Sequence, residues 1–168
     1  MDASEDVTIR AYDRATDEAE LYDCKLTFER GLGTDTGGAE KAAKYEGKLT
    51  DDYRADWLDW VDRCTTDDDR CVTVAVDDGD VVGYVFCLPA SMAFVWDAAV
   101  LNELYVAPDY RGAGVADDLM AAALELARDQ DLPLDRIVLD VDRKNERAQA
   151  FYDRHGFDHW GELVAREL

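Results

Sequence analysis

Residues 71–141 constrain the fold of this 168-residue chain more than any other part of it. Residues 71–76 and 81–88 are β-rich runs, and the turn sequence Asp-Asp-Gly-Asp separates them, which is typical of a hairpin. A hairpin pairs its strands antiparallel. The stretch 98–141 is predicted to form a strand, a helix and a second strand, which is the length that a right-handed parallel crossover needs. The two patterns together predict a sheet of mixed direction.

The remaining elements follow from periodicity and from capping residues. In chain order they are a strand over 7–10, a helix over 14–31 that ends at glycines, a loop over 34–38, a helix over 51–64, a strand over 98–106, a helix over 115–128, a strand over 137–141, a helix over 145–155 and a last strand over 159–166. Residues 1–6 are predicted to be an acidic tail. We expect one domain over 1–168, of the α/β class, with helices on the faces of a mixed sheet.

The charge balance limits the classes of partner that this protein can bind. Eighteen Lys and Arg stand against 39 Asp and Glu, so the formal net charge is −21 at pH 7. A surface this negative argues against nucleic acid and against anionic membrane surfaces as partners. Asp outnumbers Glu and Arg outnumbers Lys, which is typical of proteins from salt-accumulating organisms. A halophilic source is therefore predicted, and an acidic mesophilic protein is the alternative.

Targeting, membrane and metal signals are weak in this sequence. The longest uncharged run, 81–96, contains a glycine and a proline and is shorter than the roughly 20 apolar residues of a spanning helix. The N-terminus is acidic, where a signal peptide would be basic. The four cysteines show no Cys-x-x-Cys spacing, and only two histidines occur. We expect a cytoplasmic protein with reduced thiols, no membrane association and no metal site.

The most informative motif is the Gly-containing turn at Arg111–Ala116, which joins a predicted strand to a predicted helix. Glycines let the backbone approach a ligand, and N–H groups at a helix N-terminus converge on one small volume, which suits phosphate or pyrophosphate. The segment lacks the Gly-Lys-Ser/Thr of a P-loop, and Asp117 stands where a dinucleotide fold wants a small residue. The alternative is a structural turn that binds nothing.

At this point the chain resembles the GCN5-related N-acetyltransferase (GNAT) superfamily. Arg111-Gly112-Ala113-Gly114-Val115-Ala116 is similar to the main family motif Arg/Gln-x-x-Gly-x-Gly/Ala, and Leu104, Val106 and Pro108 precede it as the family expects. About 30 residues further on, Asn145 to Phe157 is similar to Asn-x-x-Ala-x-x-Phe/Leu-Tyr-x-x-x-Gly-Phe. The resemblance is weakest over 10–66, the part that shapes the acceptor site in this family.

The resemblance implies acetyl-CoA as co-substrate and direct transfer of its acetyl group to a primary amine of a small molecule or a peptide. The N–H groups of Arg111, Gly112, Ala113, Gly114, Val115 and Ala116 would then cradle the pyrophosphate. The backbone of Tyr105 and Val106 would bind the pantetheine arm where neighbouring strands splay apart, and Asn145 would contact the same arm. Tyr152 would protonate the departing thiolate, for which its phenol pKa, ordinarily near 10, is a reasonable match.

An ammonium must lose a proton before it attacks, so a base helps the reaction. Glu103 is the carboxylate on the strand that leads into the turn, and period two predicts that it shares a face with Leu101 and Tyr105. Asp140 on the next predicted strand is a weaker candidate. A solvent-fed chain of water molecules without a single base is the third alternative.

Several features leave alternatives open. The cations Arg143, Lys144 and Arg147 would offset CoA phosphates, or they would form a solvated face or pair with aspartates. Asp117 and Asp118 would repel pyrophosphate if they pointed at it, so we expect CoA affinity to rise with salt. Four aromatic residues are candidates for a pocket lining: Trp57, Trp60, Trp96 and Tyr53. For Trp57 and Trp60 the helical spacing favours a place in the core.

Two further expectations concern the class of protein. A non-catalytic CoA-binding or regulatory module on the same fold is the alternative to an enzyme, and binding without turnover would favour it. A protein without any ligand is the third class, and the two motifs argue against it. Many members of the resembled family dimerise, so a homodimer is an expectation for which the sequence identifies no interface.

Overall fold

A computed structural model describes residues 6–35 and 38–168 of the chain. Its strands and helices follow one another in this order: β1 Thr8–Ala11, α1 Arg14–Asp35, α2 Ala39–Lys48, α3 Asp51–Asp67, β2 Val72–Asp77, β3 Asp80–Cys87, β4 Ala99–Val106, α4 Val115–Asp129, β5 Ile137–Val138 and α5 Glu146–Arg154. Short 3₁₀ turns lie at Asp69–Cys71, Ala90–Val95 and Pro108–Tyr110.

The five strands form one sheet in the order β1-β2-β3-β4-β5. The first four pair antiparallel, and β5 pairs parallel to β4 after the crossover through α4. The predicted hairpin, the predicted crossover and the mixed sheet flanked by helices are therefore confirmed.

Two apolar clusters lie on the two faces of this sheet. One packs α1 and α3 against β2 and β3, with Leu21, Trp57, Val61 and Tyr84 among its most buried members. The other packs α4 against the opposite face, and its members include Leu119, Met120 and Leu126. Residues that alternate along β3 and β4 contribute to one cluster or the other, because successive side chains of a strand point to opposite faces.

The predicted end of the first helix is wrong. Gly31 and Gly33 lie inside α1, which continues to Asp35, and residues 36–37 of the predicted loop lie outside the described residues. Gly33 faces α2, where a Cβ added to it would lie 3.0 Å from the Tyr45 Cβ and 3.2 Å from the Ala42 Cα. The glycine therefore allows two helices to approach closely and does not end the first one.

Three further differences concern weakly patterned segments. Helix α2 was not predicted, and it has no buried residue, so it lacks the apolar stripe on which such a prediction depends. Strand β5 ends at Val138 instead of residue 141. The predicted strand over 159–166 is wrong: no strand is assigned there, and Leu163 and Val164 are largely exposed. Alternation predicts a strand only where one face can be buried.

Within residues 6–35 and 38–168, no helix combines the length and the apolar character needed to cross a bilayer. The same ranges contain no cluster of three or more His, Cys, Asp or Glu side chains suited to a metal ion. All four cysteines are buried free thiols, and burial raises the pKa of Cys24, Cys71 and Cys87 to about 12.

Candidate active site

The turn predicted to bind an anion lies between β4 and α4. Gly112 and Gly114 have φ values of +78° and +87°, a left-handed backbone that disfavours any residue with a side chain. Gly114 is also the N-cap of α4 and has no side chain to accept a hydrogen bond from the first turn. The first N–H groups of a helix have no partner within it. A Cβ built on either glycine meets no atom within 4 Å, so open space lies in front of these donors.

Arg111 fixes the beginning of this turn. Its Nε donates to the Val106 carbonyl oxygen over 2.8 Å, and its guanidinium lies 5.9 Å from the centre of the Tyr105 ring. The side chain therefore folds back along β4. Of the two residues predicted to bind the pantetheine arm through their backbone, Val106 already has its carbonyl engaged by Arg111.

The two aspartates after the turn differ in their contacts. The Asp117 Oδ1 lies 2.8 Å from an Arg154 nitrogen and 2.7 Å from the His155 Nε2, so α5 holds this carboxylate. Burial alone would raise the pKa of Asp117, but the His155 and Arg154 contacts lower it below the ordinary value. Asp118 is exposed and has no such partner among the described residues. Of these two aspartates, Asp118 is the one that keeps an uncompensated charge.

Strands β4 and β5 separate soon after they meet. Ala99 pairs with Ile137 and Val100 pairs with Val138, and no further pair joins these strands. From Leu101 to Val106, β4 continues without a neighbour on that side. This opening lies where the resemblance predicts the splay that receives the pantetheine arm.

A β-bulge at Asn102 decides which face Glu103 occupies. Phe86 pairs with Glu103 and Cys87 pairs with Leu101, so Asn102 is an extra residue in β4. Leu101 consequently faces the α4 cluster, whereas Glu103 and Tyr105 lie on the side of α1 and α3. The prediction that Glu103 shares a face with Tyr105 is confirmed, and the prediction that it shares one with Leu101 is wrong, because strict alternation does not survive a bulge.

Glu103 belongs to a buried network of charged groups. The Lys25 ammonium bonds to the Glu103 Oε1 and, over 2.5 Å, to the Glu29 Oε1. The Tyr84 hydroxyl donates to the Glu103 Oε2 over 3.0 Å. Lys25, Glu29 and Glu103 each expose 5% or less of their surface. Lys48 extends the network towards solvent, 2.6 Å from the Glu29 Oε2.

The pKa shifts follow from this pairing. Burial would lower the pKa of Lys25, but the charges of Glu103 and Glu29 outweigh it and raise that pKa above its ordinary value. Burial would raise the pKa of Glu29, but Lys25 and Lys48 lower it. Burial and the adjacent Glu103 raise the pKa of Tyr84 well above 10. At neutral pH the network therefore contains the Lys25 ammonium, the Glu29 carboxylate and the neutral Tyr84 phenol.

A cleft of about 370 Å³ opens onto this network. Its lining comprises Lys25, Tyr53, Asp56, Trp57, Trp60, Asn102 and Glu103. Trp57 is both core and lining, and its indole Nε1 is buried without a hydrogen-bond partner in the described part of the chain. Trp60 is half-buried, and Trp96 lies elsewhere, 45% exposed on the turn after β3. The cleft has the size of a small-molecule pocket.

Helix α5 positions the two residues predicted from the second motif. Asn145 is its N-cap, and the Asn145 Oδ1 accepts a hydrogen bond from the Ala148 N–H over 3.2 Å. Tyr152 packs between Phe151 and Phe157, on the α4 side of the sheet. Burial raises the pKa of Tyr152 to about 12, so its phenol stays protonated at neutral pH.

The predicted residues therefore fall into two groups. Glu103 and Tyr105 share the face of the cleft, while Tyr152 lies towards the opposite face. The opening between β4 and β5 is the passage between these faces, so a thioester reached by both groups has to lie in it. Asp140 lies beyond the end of β5 and is exposed.

The basic residues near α5 have mixed surroundings. Arg143 lies 2.5 Å from the Glu162 carboxylate, as the pairing alternative predicts. Lys144 and Arg147 are exposed and have no such pairing among the residues that the structure describes. The contribution of these two cations to CoA binding stays a prediction.

Comparison with known proteins identifies the family. The model of the acetyltransferase (GNAT) family matches residues 38–157, which include both motifs and the cleft-lining residues of α3 and β4. The chain belongs to this family. An uncharacterised N-acetyltransferase of Mycobacterium tuberculosis is 38% identical over 92 residues, which cover 55% of each chain. The mycothiol acetyltransferase of Salinispora tropica is 40% identical over 74 residues, 42% of this chain and 24% of that protein. The chain thus spans about half the length of the Mycobacterium relative and about a quarter of the Salinispora protein.

Solved structures agree on the fold. PH1933 from Pyrococcus horikoshii superposes with a TM-score of 0.66 at 21% identity, covering 94% of this chain and 92% of that one. An aminoglycoside N-acetyltransferase in complex with CoA superposes with a TM-score of 0.63 at 16% identity, covering 96% and 94%. The mixed five-stranded sheet with its flanking helices is therefore the GNAT fold.

Sequence reasoning missed the partners of Glu103. Its direct partners are Lys25 of α1 and Tyr84 of β3, and Lys25 also holds Glu29, whose Oε1 accepts a hydrogen bond from the Tyr53 hydroxyl of α3 over 3.3 Å. These residues meet only in the folded chain. One signal was present: Lys25 and Glu29 are four residues apart on the same helical face as Leu21, which is buried. A charged pair on an apolar helix face indicates a buried site.

Proposed function

We propose that the protein transfers the acetyl group of acetyl-CoA directly to a primary amine of a small molecule or a peptide. One observation carries this proposal: the open glycine turn at the N-terminus of α4 and the cleft that ends at Glu103 are joined by a single strand, β4. An anion cradle and a buried carboxylate are thus held at a fixed separation, which suits a reaction between a CoA thioester and an amine.

The cofactor would be held mainly by backbone groups. The N–H groups of residues 111–116 would receive the pyrophosphate, and the unpaired side of β4 at Tyr105 and Val106 would bind the pantetheine arm. Asn145 would contact the same arm, while its side-chain oxygen caps α5. The open space before Gly112 and Gly114 fits such a group. Acetyl-CoA supplies the activated acyl group, and the protein supplies its position.

The proton transfers fall to two side chains. The amine nitrogen bonds to the acyl carbon while the carbon–sulfur bond breaks. An ammonium substrate loses one proton before it attacks and a second as the amide forms, while one proton reaches the sulfur, so one proton is released to solvent overall. We assign removal of the nitrogen's protons to Glu103, directly or through water, and protonation of the sulfur to Tyr152. Lys25 already pairs with Glu103 and would hold its charge and orientation between turnovers.

Ligand-dependent thermal unfolding followed by a turnover assay tests this function. The protein is heated in concentrated KCl with acetyl-CoA, CoA or NADH, because a ligand at 100 times its dissociation constant adds about 2.7 kcal/mol of stability. We expect a raised melting temperature with acetyl-CoA and CoA and none with NADH. Thiol release with a panel of amines then separates an enzyme from a CoA-binding module. No shift with either CoA species would overturn the proposal.

A further inference from the structure

We infer that the acceptor is a small amine bearing a second positive charge, such as a diamine or a polyamine. This inference rests on the proposed function and narrows the acceptor class for the same site. It depends on the order of chemical groups from the floor of the cleft to its mouth. The floor is ionic and buried, the walls are aromatic, and the mouth carries an unpaired carboxylate.

The floor is suited to one ammonium group. Glu103 is 5% exposed, and it shares the Lys25 ammonium with Glu29. That ammonium also lies 5.3 Å from the centre of the Trp57 ring. Carboxylates and an aromatic face together already stabilise one cation here. A substrate ammonium entering from the cleft meets the same carboxylate, which can then accept its proton.

The walls are suited to a short methylene chain. Tyr53, Trp57 and Trp60 provide flat apolar surface between the floor and the mouth. A volume of about 370 Å³ suits a small molecule.

The mouth provides the second charge contact. Asp56 is exposed on α3 at the edge of the cleft, and no ion pair with it occurs within residues 6–35 and 38–168. Asp62, two turns further along the helix, is instead held by Arg14 at 2.6 Å. Among the aspartates of α3 without an ion pair in the described part of the chain, Asp56 is the one that lines the cleft. A chain that places one amine at Glu103 leaves its other end at Asp56.

Two acceptors that differ in one group test this inference. Diaminobutane and butylamine have the same carbon chain, and only the first has a second amine. Thiol release is measured with both at the lowest salt concentration at which the protein stays folded, because salt screens the contact. We expect kcat/KM for the diamine to exceed that for butylamine about tenfold. Asp56→Asn should raise KM for the diamine about fivefold and should change KM for butylamine much less.

Asp52→Asn is the matched control, since it removes the same charge from an exposed position of the same helix outside the cleft lining. It should leave both acceptors unaffected. Equal kcat/KM for the two amines, or a peptide preferred over both, would overturn the diamine class while acetyl transfer itself stands. An equal effect of the Asp52 and Asp56 variants would also overturn it, because general surface charge would then explain the result. No thiol release with any acceptor would instead refute the proposed function.

Discussion

The glycine turn at 111–116, which is the proposed cofactor turn, and the cleft at Glu103, which is the proposed acceptor site, are built in different ways, although β4 leads into both. The turn lies within one contiguous stretch, 104–116, and offers mainly backbone N–H groups. The cleft joins side chains from α1, α3, β3 and β4, and its function depends on their charges. A backbone site tolerates most side-chain changes that keep its φ and ψ angles. A side-chain site tolerates almost none, because each group balances another.

The largest expected effect breaks the charge balance of the cleft. Lys25→Met leaves the Glu29 and Glu103 carboxylates buried without their shared ammonium. We expect the free energy of unfolding at neutral pH to fall by about 3–5 kcal/mol. Urea unfolding in concentrated KCl measures it. Lys44→Met, at an exposed lysine paired with Glu40 over 3.5 Å, is the control and should cost well below about 1 kcal/mol.

The pH dependence of that cost has a fixed sign. The pKa of Glu29 is lowered in the folded protein, so its contribution to stability is present above the ordinary value of 4.5 and is lost as the pH falls further. The difference between wild type and Lys25→Met should therefore be largest at neutral pH and smaller once the pH has fallen below about 4.5, where Glu29 is protonated in both proteins. A difference that does not change with pH would contradict the charge-balance argument.

The next effect separates chemistry from cofactor binding. Glu103→Gln keeps a hydrogen-bonding group near Tyr84 and removes the base, so we expect kcat to fall about 100-fold. The dissociation constant of acetyl-CoA should not change, since the turn uses none of this side chain. Thiol release and calorimetric binding measure the two quantities. Tyr84→Phe, which removes only the supporting hydrogen bond, should lower kcat less. An undiminished kcat in the glutamine variant would favour Asp140 or a water chain.

The cofactor turn should respond to a backbone change instead. Gly114→Val places a branched side chain at a φ of +87° and fills the open space before the helix. We expect acetyl-CoA binding to weaken about thirtyfold. Gly79→Val imposes comparable strain at a φ of +97° in the turn between β2 and β3, outside residues 111–116. If both variants weaken binding equally, general destabilisation and not the cradle is responsible.

Removing the predicted acid should have a smaller effect. A thiolate is a fairly stable leaving group, so Tyr152→Phe should lower kcat only about tenfold. Burial raises the pKa of Tyr152 to about 12, so the wild-type kcat should show no loss from phenol ionisation between pH 7 and 10. Tyr12→Phe, at another buried phenol, is the control for activity. A wild-type kcat that falls with an apparent pKa near 10 would contradict the protonated-phenol role.

The smallest effect concerns salt. Because Asp117 is held by Arg154 and His155, Asp118 should repel the cofactor phosphates more strongly than Asp117 does. Asp118→Asn should therefore tighten CoA binding by less than about threefold and should flatten its rise with salt. Asp117→Asn should have no such effect on binding. Titrations at several KCl concentrations test both, and a salt-independent wild-type affinity would contradict the repulsion.

The same contrast explains what the sequence could predict. The hairpin, the crossover, the turn at Arg111–Ala116 and the cap at Asn145 depend on local patterns, and all four are found where they were expected. The partners of Glu103 could not be derived, because Lys25 is 78 positions away and nothing local links them. The length of α1 was predicted wrongly at Gly33, because the sequence does not distinguish a glycine that ends a helix from one that lets a second helix pack closely against it. The roles of Glu103, Tyr152 and Asn145 stay predictions.

The extra residue at Asn102 also bears on how this chain can evolve. A substitution in β4 changes one side chain. Loss of Asn102 would instead restore strict alternation, so the side chains before or after that position would point to the opposite face of the sheet. Glu103 would then share a side with Leu101, in the apolar layer under α4, or Leu101 would move onto the polar floor of the cleft. The residue count of β4 is therefore constrained more strictly than the identity of its exposed side chains. Descendants of this protein should keep the length of β4 constant even where they exchange single residues outside the Glu103 network.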